Sequence, residues 1–348
     1  MKAILFPRPG EIELKDVPDP LPAPDEAVIK VKAAGICATD IHIWLGEFIA
    51  TYPVIPGHEF SGEVIALGDE VKNFKVGDKV AVDPCIYCHN CPACRSHAEN
   101  FCHNFKAYGL HLNGGFAEYV AVKEGNLYRI DDLSWEEGAM VEPLGCVVHG
   151  LNQVSPIKPG GHGLIFGAGP IGLLNLQLYL HSGLSDVTVV DVMEHKLGIA
   201  SDLGAAHTVL ADASLNERLR EIRPEGFDLV IDATGNPKVV QSAFDYVADR
   251  GKVLIFGVCP PDSRIIISPY EIYKRELKIY GSFSLLYTAA QSVDLLRSGR
   301  IKVKPLISHR FPLEKFVEAF ELKRNNPETM KVMITERATD RIFGSARR

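Results

Sequence analysis

Residues 163–172 read GLIFGAGPIG, a short apolar run that passes directly into a glycine-rich turn. Such a run followed by G-x-G-x-x-G predicts a buried strand, a tight turn and the start of a helix. Gly167, Gly169 and Gly172 would let the backbone approach a pyrophosphate, which would sit at the N-terminus of the helix that Pro170 opens. Because the motif alone is common, its meaning depends on the sequence around it, and the alternative is a strand–helix turn without a ligand.

From residue 163 onward, short apolar runs alternate with helical stretches. The pattern predicts strands at 163–166, 187–190, 208–210, 228–232, 252–257, 277–280 and 332–334. It predicts helices from about 170 and about 194, and at 215–223, 238–248, 285–297 and 313–323. Strand–helix alternation with apolar strands is typical of a doubly wound parallel sheet, so the fold class is α/β.

Asp191 ends the second of these strands, 19 residues after Gly172. An acid at this place binds the ribose hydroxyls of a dinucleotide and repels a 2′-phosphate. Since no arginine follows it directly, the sequence favours NAD over NADP.

The first 150 residues have a different pattern, with short β-type runs at 27–33, 62–67, 79–82 and 117–122 separated by Gly and Pro turns. This pattern predicts a β-rich, barrel-like domain. Two domains also suit a chain of 348 residues, at roughly 150 residues each.

Four of the eight cysteines crowd into one loop with the spacing C-x2-C-x2-C-x7-C, at Cys88, Cys91, Cys94 and Cys102. Four thiolates with no open position describe a structural zinc site. An iron–sulfur cluster is the competing metal group, although its usual run has three residues before the last cysteine. Reduced thiols without a metal are the other alternative, and Cys85 is the nearest alternative ligand.

A second possible metal site is dispersed along the chain. Its members are Cys37, His58, Glu59 and Glu142, with Thr39 and His42 close to the first of them. Three protein ligands would leave a fourth position for water or substrate. Spacing alone does not join these residues, since each has an ordinary structural explanation.

Composition excludes several other classes. The chain is 46% hydrophobic and has a net charge of −7, from 37 basic and 44 acidic residues, which argues against a disordered chain and a nucleic-acid-binding surface. Residues 163–185 lack charged side chains, but their Gly and Pro residues favour a strand, turn and helix over a membrane span. No secretory signal is evident at the N-terminus, and we expect a cytoplasmic protein.

Several motifs occur in one order along nearly the whole chain: GICATDIH at 35–42, PGHEFSGEV at 56–64, the cysteine loop, VEPLGCVVHG at 141–150, GAGPIG at 167–172, and KPLISHRFPLEKFVEAF with KVMI at 304–334. Together they resemble the zinc-dependent medium-chain dehydrogenase family, particularly its sorbitol (polyol) and threonine dehydrogenase branch. The resemblance implies a GroES-like catalytic domain at 1–150 with the structural zinc loop at 85–103, a Rossmann domain at 151–284, and a segment at 285–348 that returns to the catalytic domain. It also implies two zinc ions per chain and a homotetramer or dimer.

The resemblance further implies roles for single residues. Cys37, His58 and Glu59 would occupy the catalytic zinc positions, and Glu142 would bind the metal or hold its water. For both glutamates, direct and water-linked binding stay open. Thr39 and His42 match the proton relay of the family. The residues that match or flank cofactor-contacting positions are Gly167, Gly169, Pro170, Ile171, Gly172, Asp191, Lys196, Val258, Ser282 and Phe283.

The activity implied is reversible hydride transfer between NAD and a secondary alcohol, with a polyol or vicinal diol as the expected substrate. Ser284 and Ile43 stand where sorbitol dehydrogenase-like members carry an arginine and a tyrosine, so we expect a small or differently oriented polyol. The alternatives are a threonine or simple secondary-alcohol dehydrogenase and a non-catalytic NAD-binding relative.

Overall fold

Two sheets, one parallel and one mostly antiparallel, hold most strands of the computed structural model, which describes residues 1–336. The strands are β1 (Lys2–Leu5), β2 (Glu13–Asp16), β3 (Glu26–Ile36), β4 (Glu59–Leu67), β5 (Lys79–Val82), β6 (Cys85–Ile86), β7 (Lys106–Ala107), β8 (Tyr119–Lys123), β9 (Leu127–Arg129), β10 (His162–Phe166), β11 (Asp186–Asp191), β12 (His207–Leu210), β13 (Phe227–Asp232), β14 (Val247–Ile255), β15 (Lys278–Gly281), β16 (Ile307–Phe311) and β17 (Lys331–Thr335).

The α-helices are α1 (Ala38–Leu45), α2 (Pro92–Arg95), α3 (Trp135–Ala139), α4 (Val141–Val154), α5 (Pro170–His181), α6 (Glu194–Asp202), α7 (Leu215–Ile222), α8 (Pro237–Tyr246), α9 (Pro269–Lys274), α10 (Ala289–Arg297) and α11 (Phe316–Asn325). The chain divides into two units. The first holds residues 1–145, 285–299 and the described residues from 303 onward, and the second holds residues 146–284 and 300–302.

The second unit is built on a six-stranded parallel sheet with the order β12-β11-β10-β13-β14-β15. When these six strands are numbered from 1 along the chain, starting at β10, their order is 3-2-1-4-5-6, which is that of dinucleotide-binding domains. This order confirms the predicted doubly wound sheet. Its central strands are apolar because both faces are covered, and residues such as Leu164, Val230 and Val253 have no exposed surface. The chain reverses its direction of winding at β10, so the carboxyl ends of β10 and β13 lie side by side.

The glycine-rich turn after β10 explains why its three glycines are needed. Gly167 has a φ of 102°, a conformation that L side chains rarely adopt. A Cβ on Gly172 would lie 1.8 Å from the carbonyl oxygen of Gly167, so only glycine lets α5 start this close to the strand. Residues 163–185 are therefore strand, turn and helix, as predicted. Within residues 1–336, the longest and most apolar helices still fall short of what crossing a membrane requires.

The first unit is built on a seven-stranded sheet with the order β16-β17-β3-β4-β5-β9, in which β8 also pairs with β3. The long strand β3 serves two neighbours: its first half pairs with β8, and its last residues pair antiparallel with the C-terminal strand β17. An apolar core that includes Ile29, Phe60, Phe116 and Phe320 lies against this sheet. The last strand of the described chain is thereby built into the same sheet as the residues before α1.

Three predicted helices differ from the observed ones. The helix predicted at 238–248 ends at Tyr246 because Val247 already pairs with Phe227 in the parallel sheet. The helix predicted at 285–297 begins at Ala289, since Tyr287 has a φ of 53° that a helix does not allow. The stretch predicted at 313–323 is a 3₁₀ turn followed by α11. Residues 338–348, whose sequence has no clear periodicity and predicts a loose tail, lie outside the described residues.

Candidate active site and metal centres

The dispersed residues Cys37, His58 and Glu59 come together in the first unit, with one possible ligand atom from each lying within 4.8 Å of the others. Cys37 follows β3 and precedes α1, whereas His58 and Glu59 stand at the start of β4. The antiparallel register of these strands places Gly35 opposite Glu59, which brings the two ends together. The pairing of β3 with β4 therefore brings together residues that the sequence spacing alone could not connect.

Asp40 orients this cluster, and the sequence analysis assigned it no role. Its Oδ2 accepts the backbone N–H of Cys37 at 2.8 Å, and its Oδ1 lies 3.5 Å from Nδ1 of His58. Asp40 is fully buried, and neither its Oδ1 nor His58 Nδ1 has another partner among the described residues. A carboxylate facing Nδ1 leaves Nε2 of His58 to act as a ligand, an arrangement common behind metal-bound histidines.

The charges around His58 favour a bound cation. Burial opposes the charged imidazole, but Asp40 and Cys37 outweigh it and raise the pKa of His58 well above its ordinary value. A site that draws a proton this strongly is one where a metal ion can replace the proton. Sulfur, imidazole nitrogen and carboxylate oxygen are also the donors that zinc prefers, and three of them leave an open position.

Glu59 forms a buried ion pair with Lys331 on β17. The Lys331 ammonium donates to both carboxylate oxygens, at 2.7 and 2.6 Å, and both side chains are almost completely buried. Burial raises the pKa of Glu59, but Lys331 and His58 reverse this and lower it. A Cβ on Gly35 would lie 2.2 Å from Glu59 Oε2, so the glycine makes room for the pair. The sequence analysis missed Lys331 because it lies 272 residues from Glu59.

Glu142 is buried in the first turn of α4, and its charge is among those that raise the pKa of Lys331. Its carboxylate is not part of the group of ligand atoms within 4.8 Å. Whether Glu142 binds a metal directly or holds its water therefore stays a prediction.

Thr39 and His42 lie on α1, three residues apart, so both face the same side of the helix. Both are half-buried. Nδ1 of His42 lies 3.0 Å from a carboxylate oxygen of Glu47, a residue the sequence analysis did not select. A hydroxyl and an imidazole on one helix face can pass a proton toward water.

The four cysteines of the loop also come together. Their sulfur atoms lie 3.5 to 4.0 Å apart in the pairs Cys91–Cys94, Cys88–Cys94 and Cys91–Cys102. Four sulfurs at about 2.3 Å from one tetrahedral ion would be separated by roughly 3.8 Å. Backbone N–H groups, first that of Asn90, lower the pKa of Cys88 to about 6, whereas burial raises that of Cys94 to about 12. Only a cation would allow all four thiols to ionise together, and the donor set fits zinc.

The turn after β10 fits a dinucleotide. Within residues 1–336, no atom beyond those of its own neighbours lies within 4 Å of the Cβ position of Gly169, so a phosphate has room at the start of α5. Asp191, at the end of β11, accepts the backbone N–H groups of Ala168 at 2.7 Å and Met193 at 2.9 Å. The predicted ribose-binding acid thus also holds the glycine turn in place.

The remaining predicted cofactor residues lie at the same carboxyl edge or near it. Lys196 is half-buried on α6, Val258 is exposed after β14, and Ser282 and Phe283 follow β15. The buried hydroxyl oxygen of Ser282 has no hydrogen-bond partner in the part of the chain that is described. An unpartnered hydroxyl at this edge could bind an amide such as the nicotinamide carboxamide.

Asp232, at the end of β13, shapes the same edge of the sheet, and sequence reasoning missed it. Its buried carboxylate accepts the N–H groups of Thr234 and Gly235 and shapes the loop that follows. A Cβ on Gly257 would lie 2.1 Å from the Gly235 nitrogen, so the loops after β13 and β14 touch backbone to backbone. The signal available was the run Asp-Ala-Thr-Gly directly after a predicted strand.

Ile43 and Ser284, which depart from sorbitol dehydrogenase-like sequences, differ in burial and in backbone conformation. Ile43 is completely buried in the apolar core, where it supports α1 rather than a ligand. Ser284 has a φ of 62° directly after the predicted cofactor residues and is half-buried.

Comparison with known proteins agrees with this geometry. Residues 23–132 match the alcohol dehydrogenase GroES-like domain, and residues 170–298 match the zinc-binding dehydrogenase family. The chain is 41% identical to D-altritol 5-dehydrogenase of Agrobacterium fabrum over 95% of this chain and 98% of that one. It is 36% identical to D-arabinitol dehydrogenase 1 of Uromyces fabae over 96% and 97%.

A solved structure described as a zinc-binding dehydrogenase from Sinorhizobium meliloti, bound to NADP, superposes with a TM-score of 0.91. It is 35% identical and aligns over 96% of this chain and 98% of its own. Full-length similarity at this level, together with both metal-ligand clusters and the dinucleotide turn, leaves one family. The chain belongs to the zinc-dependent medium-chain dehydrogenases.

Proposed function

We propose that this protein oxidises a secondary hydroxyl of a small open-chain polyol, at the carbon beside a terminal hydroxymethyl group, and transfers the hydride to NAD. The observation that carries the proposal is the cluster of half-buried Cys37 with buried His58 and Glu59. Three donors around a four-coordinate zinc ion would leave one position for the substrate. The proposed substrate class is supported by the similarity to D-altritol 5-dehydrogenase and D-arabinitol dehydrogenase 1.

The residues of this chain have distinct tasks in the proposed reaction. Cys37, His58 and Glu59 would hold zinc, and Asp40 would fix the ring of His58. When bound, zinc supplies a Lewis acid that stabilises negative charge on the alcohol oxygen, and NAD supplies the hydride acceptor. Thr39 accepts the hydroxyl proton, and His42 passes it to solvent.

Buried carboxylates explain why a diol suits the site better than a simple alcohol. Glu59 and Glu142 are both buried, and each can accept a hydrogen bond from a second hydroxyl of the substrate. A site shaped around such a hydroxyl discriminates against analogues without it, because the hydrogen bond that the hydroxyl would make is then lost.

The substrate assignment is tested by kcat/KM for altritol, arabinitol, xylitol, sorbitol, galactitol, 2,3-butanediol, 2-butanol and threonine with NAD. We expect the highest efficiency on a pentitol or hexitol. A preference for 2-butanol or threonine would overturn the polyol assignment, whereas a preference for 2,3-butanediol would keep the diol argument and discard the sugar alcohol.

We assign the catalytic site and structural zinc loop to the GroES-like part of the chain and the cofactor to the Rossmann part, with bounds near 150 and 284. NAD is proposed over NADP because Asp191 places a carboxylate where a 2′-phosphate would come.

The cytoplasm is the proposed location, since no disulfide joins any of the eight cysteines, all of which lie within residues 1–336.

We also propose that the protein assembles into a homotetramer or a dimer, with one of its interfaces at the edge of the parallel sheet. Among the described strands β15 pairs on one side only, and the large apolar residues nearby in the sequence, Ile266 and Tyr273, are 86% and 81% exposed. An unpaired edge next to apolar side chains invites pairing with a second copy. Light scattering should give four chains or two, and Ile279→Lys on β15 should lower that number. A monomeric wild type would contradict the proposal.

A further inference from the structure

The end of helix α1 brings a carboxylate to His42. Gly46 follows the helix with a φ of 76°, a left-handed conformation that glycine adopts without strain. Its N–H donates to the carbonyl oxygen of Ile43, and the N–H of Glu47 donates to that of His42, each at 2.9 Å. These two bonds form a Schellman motif, which turns the chain back over the last helical turn. Glu47 is thereby fixed beside His42 by the backbone.

The contact between the two side chains decides which ring nitrogen carries the proton. Nδ1 of His42 lies 3.0 Å from Oε2 of Glu47. A carboxylate can only accept a hydrogen bond, so Nδ1 must be the donor. In the neutral ring Nε2 then holds the lone pair and can accept a proton.

Helix stability does not account for a glutamate at this place. The C-terminal end of a helix carries partial negative charge, which disfavours a nearby carboxylate. The side chains of His42 and Glu47 are also 36% and 54% exposed, and ion pairs this exposed contribute little to stability. A role toward His42 explains the arrangement better.

We propose that Glu47 is a positioning residue of the proton path, which holds His42 with Nδ1 protonated and Nε2 ready to accept. This inference rests on the proposed function, in which Thr39 hands the substrate proton to His42. In the step, the proton leaves the Thr39 hydroxyl as that oxygen receives the substrate proton, and Nε2 takes it. The exposed carboxylate and ring then release it to water.

The first test needs no turnover. Nitrogen-15 NMR of histidine-labelled enzyme should show His42 protonated on Nδ1, with the signal assigned by its absence in His42→Gln. In Glu47→Ala the Nε2–H form, which is the commoner one for an unconstrained ring, should dominate. An unchanged tautomer in Glu47→Ala would overturn the inference, whatever substrate the enzyme uses.

The second test is kinetic and uses the best substrate of the panel. Glu47→Ala should lower kcat about tenfold with little change in KM, and Glu47→Gln, which keeps a neutral acceptor, should lose less. In the His42→Gln background Glu47→Ala should cause no further loss. Glu314→Gln breaks a similarly exposed pair with Lys2 in the same unit and is the matched control, expected to leave kcat unchanged.

The outcomes separate the two proposals. An equal loss from Glu47→Ala with and without His42, or an unchanged kcat beside a changed tautomer, would overturn the positioning role. If the tautomer of His42 changes in Glu47→Ala but the wild-type enzyme oxidises no alcohol, the proposed function is wrong. The assignment of Glu47 to His42 would then still hold.

Discussion

At the candidate catalytic site, packing against neighbouring side chains restricts which residue a position can hold, as does the chemistry of the site. Gly35 shows this most clearly, because the pair of Glu59 and Lys331 occupies the space that any larger side chain would need. The pair itself is costly to disturb, since a buried charge without its partner destabilises a protein by roughly 3–5 kcal/mol. A glycine that offers no ligand atom of its own therefore acts on the site through packing.

We predict that Gly35→Ala lowers both activity and stability. The added methyl group would lie 2.2 Å from Glu59 Oε2, so the carboxylate or the strand must move, at a cost of about 1–3 kcal/mol. The melting temperature, the zinc content and kcat should all decrease. Gly125→Ala is the control, because its Cβ position has open space, and an equal effect of both variants would contradict the prediction.

Cofactor choice is a second question at the scale of one residue. Asp191→Ala removes the repulsion of a 2′-phosphate, and Val192→Arg adds a cation at a side chain that is already 68% exposed. The double variant should lower kcat/KM for NAD and raise it for NADP. Val192→Arg alone is the control, and it should change the preference less. A wild-type enzyme that strongly prefers NADP would contradict the reading of Asp191.

At the scale of elements, the sequence predicted the strands of the parallel sheet closely, because buried strands and a G-x-G-x-x-G turn leave a local signal. The catalytic cluster was predicted through resemblance, since its members are joined only by the pairing of β3 with β4. Lys331 could not be found in this way, as its role depends on β17 pairing with β3. Helix ends near Tyr246 and Ala289 were missed because tertiary pairing and a positive φ override local propensity.

The two metal-binding elements should differ in how readily they lose their ions. The cysteine loop surrounds its site with four sulfurs, whereas the site of Cys37, His58 and Glu59 keeps an open position. Mild chelation should abolish activity before circular dichroism reports unfolding. Cys102→Ser should remove one zinc per chain and lower the melting temperature. Metal analysis that finds one zinc per chain in a fully active wild type would contradict the two-site interpretation.

At the scale of the whole molecule, a buried acid beside the cysteine loop links stability to pH. Asp83 is 5% exposed, and the charge of its carboxylate is stabilised by the N–H of Cys85 at 2.9 Å and by the Cys85 side chain, which together do not offset burial. Burial therefore raises the pKa of Asp83 from 3.8 to about 6. Between these values the folded chain keeps a proton that the unfolded chain has lost, so the free energy of unfolding falls as pH rises through this window.

Asp83→Asn should remove this dependence, because the amide keeps an acceptor for Cys85 and carries no charge. Relative to the variant, the wild type should lose about 1 kcal/mol of unfolding free energy between pH 5 and pH 8, as the folded carboxyl ionises against its burial. Denaturant unfolding at both pH values measures the difference, and Asp131→Asn, at an exposed position, is the control. Since the amide has its own cost in a buried site, only the change with pH bears on the argument. A constant difference between wild type and Asp83→Asn from pH 5 to pH 8 would show that Asp83 ionises as easily in the folded chain as in the unfolded one.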